Sequence, residues 1–579
     1  MSSAAEVERM LTGPGGAFEV VVEDVLGVPT KVYKGRMRSL REVSRAALSR
    51  GDSETFLVYG DQQMGFGTFV ERADAISRTL ARRYGIEPGD RVAVLSANNP
   101  EWCLAFWATV DAAGVLVGLN GWWKTDEILY GLADSGTKVL VADGPRLARV
   151  LARIGECPDL QAVFCADPIE GELAGLASSS PVPVRPFEDL EDDPGSGPDP
   201  LGWETDEDDP AVIFYTSGTT GRPKGALSTH RTMIANLQNT IYTALAGAMA
   251  NPGKSLLPSG GGQMASLLTS PLFHVSGCHS GLVVALAMGV KLVIPEGRFE
   301  PAKVMSLIEK ERINIWTGVP TMVWRVVDDP SRHDYDLSSV VSVAYGGSAA
   351  APELQRKVME TFPSVKSMGN AYGLTESSSV ATVNSGQDYL ERPESVGRAL
   401  PVVELRVVDG AGDDVASGQT GEVWVKGSIV MPGYWGKPEE TSEVLRDGWL
   451  RTGDVGYLDD DGFLFITDRA KDMIIRGGEN VYCVEIENRL VEHPAIAEAA
   501  VIGVPHPVLG EEVKAVVVTE PGGSVTAEEV RAWVGETLAD FKVPAHVEVT
   551  DTPLPRNPSG KILKNVLRGE GEVSFAETL

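Results

Sequence analysis

Residues 211–225 read AVIFYTSGTTGRPKG. The apolar run from Ala211 to Tyr215, bounded by glycine, reads as a buried strand feeding directly into a loop. In that loop Gly218, Gly221 and Gly225 free the backbone to turn N–H groups towards an anion. Thr216, Ser217, Thr219 and Thr220 add hydroxyl donors, and Lys224 supplies a point charge. The common nucleotide loop G-x-x-x-x-G-K-[ST], laid from Gly218, would need glycine at 223 and serine or threonine at 225, where the chain carries Pro223 and Gly225. A polyphosphate cradle of another kind and a flexible Gly/Thr turn both fit these residues.

Outward from this strand, RVAVLSA (91–97), KVLVAD (138–143), KLVIP (291–295) and VVSVAYGG (340–347) are further β-type runs that alternate with helix-length amphipathic segments. The alternation predicts an α/β fold of parallel layers. Residues 188–210, acidic and rich in proline and glycine, read as a solvated connection between two such layers. From about 402 to 467 the pattern changes to short strands and turns, which predicts a smaller β-rich subdomain. A second shift after Thr467 predicts a separate C-terminal α+β domain, so the division is 1–467 and 468–579.

The 579 residues, 43% hydrophobic and 23% charged, are those of a globular protein of several structural units. A net charge of −30 opposes general nucleic-acid binding and weakens docking on anionic lipid. The start MSSAAEVERM has acids and no apolar run, and the longest apolar stretch, Gly281 to Val290, falls short of the roughly 18 residues that suggest a membrane span. The expectation is a cytoplasmic protein without stable membrane insertion. Five scattered cysteines form no C-x-x-C pair, so neither a disulfide framework nor a zinc site is expected.

After TSGTTGRPKG come PLFHVSG (271–277), YGGSAAAP (345–352), NAYGLTES (370–377), WLRTGDVG (449–456), DRAKDMIIRGGENVYCVEIE (468–487) and PRNPSGKILK (555–564). In this order, over nearly the whole chain, they resemble the adenylate-forming superfamily of acyl-CoA and aryl-CoA synthetases, peptide-synthetase adenylation domains and beetle luciferases. The resemblance implies a large N-terminal AMP-binding domain and a small mobile C-terminal one. It also implies that a carboxylate joins the α-phosphate of ATP, pyrophosphate leaves, and the acyl group passes to a thiol. Carboxylate and phosphate repel, so such a site must supply cations and oriented dipoles.

By resemblance, Glu376 holds a magnesium ion that bridges the phosphates, Thr375 meets the α-phosphate, and the backbone of Asn370, Ala371, Tyr372 and Gly373 meets the adenine. Gly346, Gly347 and Ser348 of YGGSAAAP belong to the same nucleotide site. Asp454 accepts from the ribose hydroxyls, with Arg469 beside the same sugar. Lys561 lies between the attacking carboxylate and the α-phosphate, where a compact ammonium suits a developing oxyanion. Lys471 matches the hinge about which the C-terminal domain turns, and Gly477 and Gly478 approach the pantetheine of CoA. Read singly, Tyr372 is equally a core aromatic, Asp454 a turn residue and Gly477-Gly478 an ordinary turn.

Amino-acid-activating relatives typically carry aspartate after the phenylalanine of PLFHVSG. Phe273-His274 here disfavours an α-amino acid, and His274 reads as a gate beside the acyl carboxylate. Trp316, Thr317, Gly318, Tyr345, Gly346, Gly369, Asn370 and Ala371 are expected to form the acyl wall, with two aromatics among small residues. The resulting expectation is a medium- or long-chain fatty acid–CoA ligase. Alternatives are a ligase of aryl or other cyclic acids, a fatty-acyl-AMP ligase that loads a carrier protein, a luciferase-like oxygenase, or a catalytically silent binding protein. A homodimer is compatible with the resemblance.

Overall fold

The computed structural model describes residues 4–216, 222–251, 262–346, 352–469, 472–476, 479–520, 522–556 and 561–570. The strand expected at the opening motif runs Pro210–Thr216 and pairs in parallel with Val115–Gly118. It lies in a seven-stranded sheet whose other members, apart from the antiparallel edge strand Lys224–Thr229, are parallel. A nine-stranded sheet has a parallel centre, including Lys291–Ile294, Ile315–Gly318, Ser342–Gly346 and Ser367–Tyr372, with antiparallel edges.

Both sheets are covered on both faces, which is why their strands read as continuous apolar runs. Val92 and Val94 join a core that also takes Leu57, Leu268 and Leu292 from the other sheet and Trp102, Phe106 and Phe69 from helices between the two. Ala93 and Leu95, one residue out of phase, face an outer core with Leu140 and Leu147. Trp316, Val343 and Tyr345 build the outer core of the larger sheet. Helices and sheets therefore alternate in five layers.

A five-stranded sheet of residues 403–469 and another of residues 474–550 complete the chain. In the last, a long antiparallel hairpin, Ile496–His506 with Gly510–Thr519, packs against helix Cys483–Val491.

The connection 188–210 differs from a merely solvated linker. Its acids are paired with arginines of the neighbouring helices and of the loop before helix Leu40–Leu48: Glu191 with Arg72, Asp193 with Arg82, and Glu207 with Arg36 and Arg231. Arg36, whose side chain is 2% exposed, reaches both Glu207 and Glu23. Opposite charges dock a segment whose composition alone reads as solvated. The five cysteines are buried free thiols. Among the described residues, no helix is long and apolar enough to cross a membrane.

Candidate active site

Strands Pro210–Thr216, Ser342–Gly346 and Ser367–Tyr372 run directly into the motif loops that follow them. In parallel α/β sheets, ligands bind at these carboxyl ends. Thr216, Lys224, His274, Gly346, Asn370 to Gly373, Thr375, Glu376, Asp454, Arg469 and Lys561 are described. Ser217, Gly218, Thr219, Thr220, Gly221, Gly347, Ser348, Lys471, Gly477 and Gly478 lie outside the described residues.

Asp454 and Arg469 are register partners on adjacent strands. The Asp454 carboxylate, 5% exposed, takes the Arg469 Nε at 2.8 Å and the Tyr372 hydroxyl at 2.7 Å. Burial, and then Asp454, push the Tyr372 hydroxyl well above its ordinary pKa, so it stays a donor. Burial works against the Arg469 charge, but Asp454 together with Tyr372, Glu376 and Asp472 outweighs it and raises the guanidinium pKa. Tyr372 is thus tied to the candidate ribose acceptor rather than being a plain core aromatic.

Past Tyr372 the chain makes a tight turn. A Cβ on Gly373 would stand 1.5 Å from the Ser379 carbonyl oxygen, a close approach that requires glycine. Thr375–Ser377 form a short 3-10 turn, closed by the Leu374 N–H donating to Ser377 Oγ at 2.9 Å. Ser378 and Ser379 follow at φ 49° and 113°, which is strained for residues with a side chain.

Glu376 is held from a direction the sequence did not advertise. Tyr434 donates its hydroxyl to Glu376 Oε1 at 2.9 Å, and the Met431 N–H donates to the Glu376 carbonyl at 2.9 Å. The Lys224 Nζ sits 5.3 Å from the centroid of the same Tyr434 ring. Backbone bonds from Trp435 to Gly225 and from Leu227 to Gly433 strap this segment across strand Lys224–Thr229. No group of three or more His, Cys, Asp or Glu side chains among the described residues could hold a metal ion. A cation at Glu376 would therefore need ligand oxygens, which suits a hard ion bound through one carboxylate and phosphates.

His274 packs its ring 4.7 Å from Phe273, which in turn meets Trp122 at 5.4 Å. Its Nε2 is buried with no hydrogen-bond partner. Burial, and then the Lys561 cation, lower the His274 pKa to about 4. Four residues beyond His274 begins a π-turn, Cys278–Leu282, from which Ser280 Oγ meets Ser379 Oγ at 2.7 Å. Asn236 accepts from the Val380 N–H at 3.3 Å beside this pair.

The expected acyl wall divides by strand alternation. Trp316 turns into the outer core, where its indole N–H donates to Thr269 Oγ1 at 3.1 Å. Tyr345 does the same, its hydroxyl 2.7 Å from that of Tyr389. The two aromatics therefore do not line an open surface. The opposite face carries Thr317, Ala344 and Gly369 in one paired row, with Gly346 beside Ala371 in the next.

The protein-family comparison matches the AMP-binding enzyme family over residues 43–435 and its C-terminal domain over residues 485–561. The chain belongs to this adenylate-forming superfamily. A feruloyl-CoA synthase of an Amycolatopsis species is 35% identical over 91% of this chain and 97% of its own length. The bovine mitochondrial medium-chain acyl-CoA ligase is 34% identical over 98% of this chain and 92% of its own. Among solved structures, an amide bond synthetase from Marinactinospora thermotolerans superposes with a TM-score of 0.77 at 28% identity, covering 92% of this chain and 99% of that one.

Proposed function

We propose that this chain is a cytoplasmic, ATP-dependent ligase that activates an apolar carboxylic acid, in the leading reading a medium- or long-chain fatty acid, and transfers it to CoA. The observation that carries the proposal is the Tyr372–Asp454–Arg469 cluster at the carboxyl end of strand Ser367–Tyr372, followed directly by the turn that presents Glu376 to Tyr434. A carboxylate accommodated by a neutral imidazole would meet an ammonium on the side where it attacks phosphorus. In the first step the carboxylate oxygen bonds to the α-phosphorus and the bond to pyrophosphate breaks. Lys561 then opposes the charge that builds on the oxygens in flight, while Asp454 and Arg469 fix the nucleotide. A divalent cation between Glu376 and the phosphates would supply charge neutralisation for the departing pyrophosphate. In the second step a thiol attacks the acyl carbonyl, AMP leaves and the thiol proton passes to solvent.

The half-buried His274, against Phe273, which in turn meets Trp122, offers no carboxylate for a substrate ammonium. That supports an apolar acid, as does the likeness to a medium-chain acyl-CoA ligase. A second reading, a ring-bearing acid with a polar substituent, is favoured by the Ser280–Ser379 hydroxyl pair beside Asn236 and by the likeness to a feruloyl-CoA synthase. Purified protein with ATP, magnesium and a panel of linear and aromatic acids, followed by AMP release with and without CoA, tests both. AMP release indifferent to CoA would overturn the CoA assignment and favour another acyl acceptor. Faster turnover of hydroxylated aromatic acids than of any linear acid would select the second reading.

A further inference from the structure

Lys224 and Glu376 carry opposite charges at one end of the site, yet no ion pair joins them among the described residues. Tyr434 stands between them. Its hydroxyl donates to Glu376 Oε1 at 2.9 Å, while the Lys224 Nζ faces the Tyr434 ring at 5.3 Å from the centroid. An aromatic ring accepts an ammonium through its electron-rich face without neutralising it, and a neutral hydroxyl leaves the carboxylate its charge. A direct lysine–glutamate pair, by contrast, would have to be broken each time phosphate and a cation enter.

The backbone that carries the ring is pinned on several sides. Tyr434 makes an isolated antiparallel bridge with Ala226, and its N–H donates to Thr441 Oγ1 at 2.9 Å. The flanking residues are bonded to Gly225 and Leu227, and Met431 is bonded to the Glu376 backbone. The strap therefore holds the backbones that carry both charged residues in register with that of Tyr434.

We propose that Tyr434 is a positioning residue that holds Lys224 and Glu376 apart, leaving the ammonium for phosphate and the carboxylate for a divalent cation. This rests on the reading of Glu376 as the cation ligand. In Tyr434→Phe the ring stays and the hydroxyl goes. The magnesium concentration for half-maximal adenylate formation should rise about threefold to tenfold, by more than kcat falls, with metal-free ATP affinity kept.

In Tyr434→Leu the spacer goes as well, and metal-free ATP binding, read by calorimetry, should weaken at least fivefold as Lys224 pairs with Glu376. Adding Glu376→Gln to Tyr434→Leu should restore metal-free affinity to that of Glu376→Gln alone, a rescue that loss of local packing would not give. Unchanged metal-free affinity in Tyr434→Leu, or a loss that Glu376→Gln does not relieve, overturns the proposal. If Glu376→Gln alone leaves the magnesium requirement unmoved, the cation reading fails. The spacer role is then decided by the metal-free affinities alone.

Discussion

Tyr372 donates its hydroxyl to Asp454 at 2.7 Å, joining the end of a strand in the larger sheet to the five-stranded sheet, where Asp454 also holds Arg469. A hydrogen bond to a charged group is worth about 1.5–3 kcal/mol. Tyr372→Phe should therefore raise the KM for ATP by roughly tenfold and lower stability by about 1–3 kcal/mol. An unchanged KM in steady-state kinetics would remove Tyr372 from nucleotide recognition.

Lys561→Ala should slow adenylate formation from acid and ATP by about 10²–10³-fold, the usual loss on removing a transition-state donor. Thioester formation from pre-made acyl-AMP should be largely spared. Single-turnover assays of the separate half-reactions decide it, and equal loss of both would refute the division.

Stability should fall as acid is added below neutrality. Burial holds His230 at a pKa of about 3 and His279 at about 4, against 6.5 when exposed. Between pH 6.5 and the folded values the unfolded imidazoles take a proton that the folded ones refuse. Each depressed pKa therefore contributes stability that is present above pH 6.5 and lost as pH falls, up to roughly 3–5 kcal/mol per histidine. His279→Phe, which retains a ring against Phe214, should flatten the pH dependence of the denaturant midpoint over this window. A slope identical to that of the parent would contradict the assignment.

The docked acidic segment makes a further demand. Arg36→Leu takes from Glu207, 11% exposed, one of the three guanidiniums around it and leaves Arg38 and Arg231. It should cost about 1–3 kcal/mol by denaturant unfolding, the worth of a charge-assisted hydrogen bond, because the carboxylate keeps its other two partners. The loss should be smaller in a Glu207→Gln background, and full additivity in the double-mutant cycle would count against coupling.

The sequence made the layers and the motif residues legible because each rests on local pattern. Apolar runs mark strands buried on both faces, and Asp454 and Glu376 stand in short ordered motifs. Tyr434 escaped because MPGYWG has no periodicity that announces its contact, and its partner Glu376 is 58 residues away. The wall was misjudged for a simpler reason. Trp316 and Thr317 are neighbours, and neighbours on a strand point to opposite faces, so the period of two could have separated them. The arginine pairing of 188–210 was hidden because composition records acids but not the cations they meet.

The alternation that turns Trp316 and Tyr345 inward has a consequence for how such a protein can change. The heavy residues that keep the sheet together and the small ones on its other face, Thr317, Ala344, Gly346 and Ala371, occupy alternate positions of the same strands. Exchanging Thr317 or Ala344 for another small residue alters that face while leaving the packed side intact, whereas a Cβ on Gly346 would stand 2.8 Å from the Ala371 carbonyl oxygen. Under the proposed acyl site, substrate preference would drift through replacements at Thr317 or Ala344 without first endangering the fold.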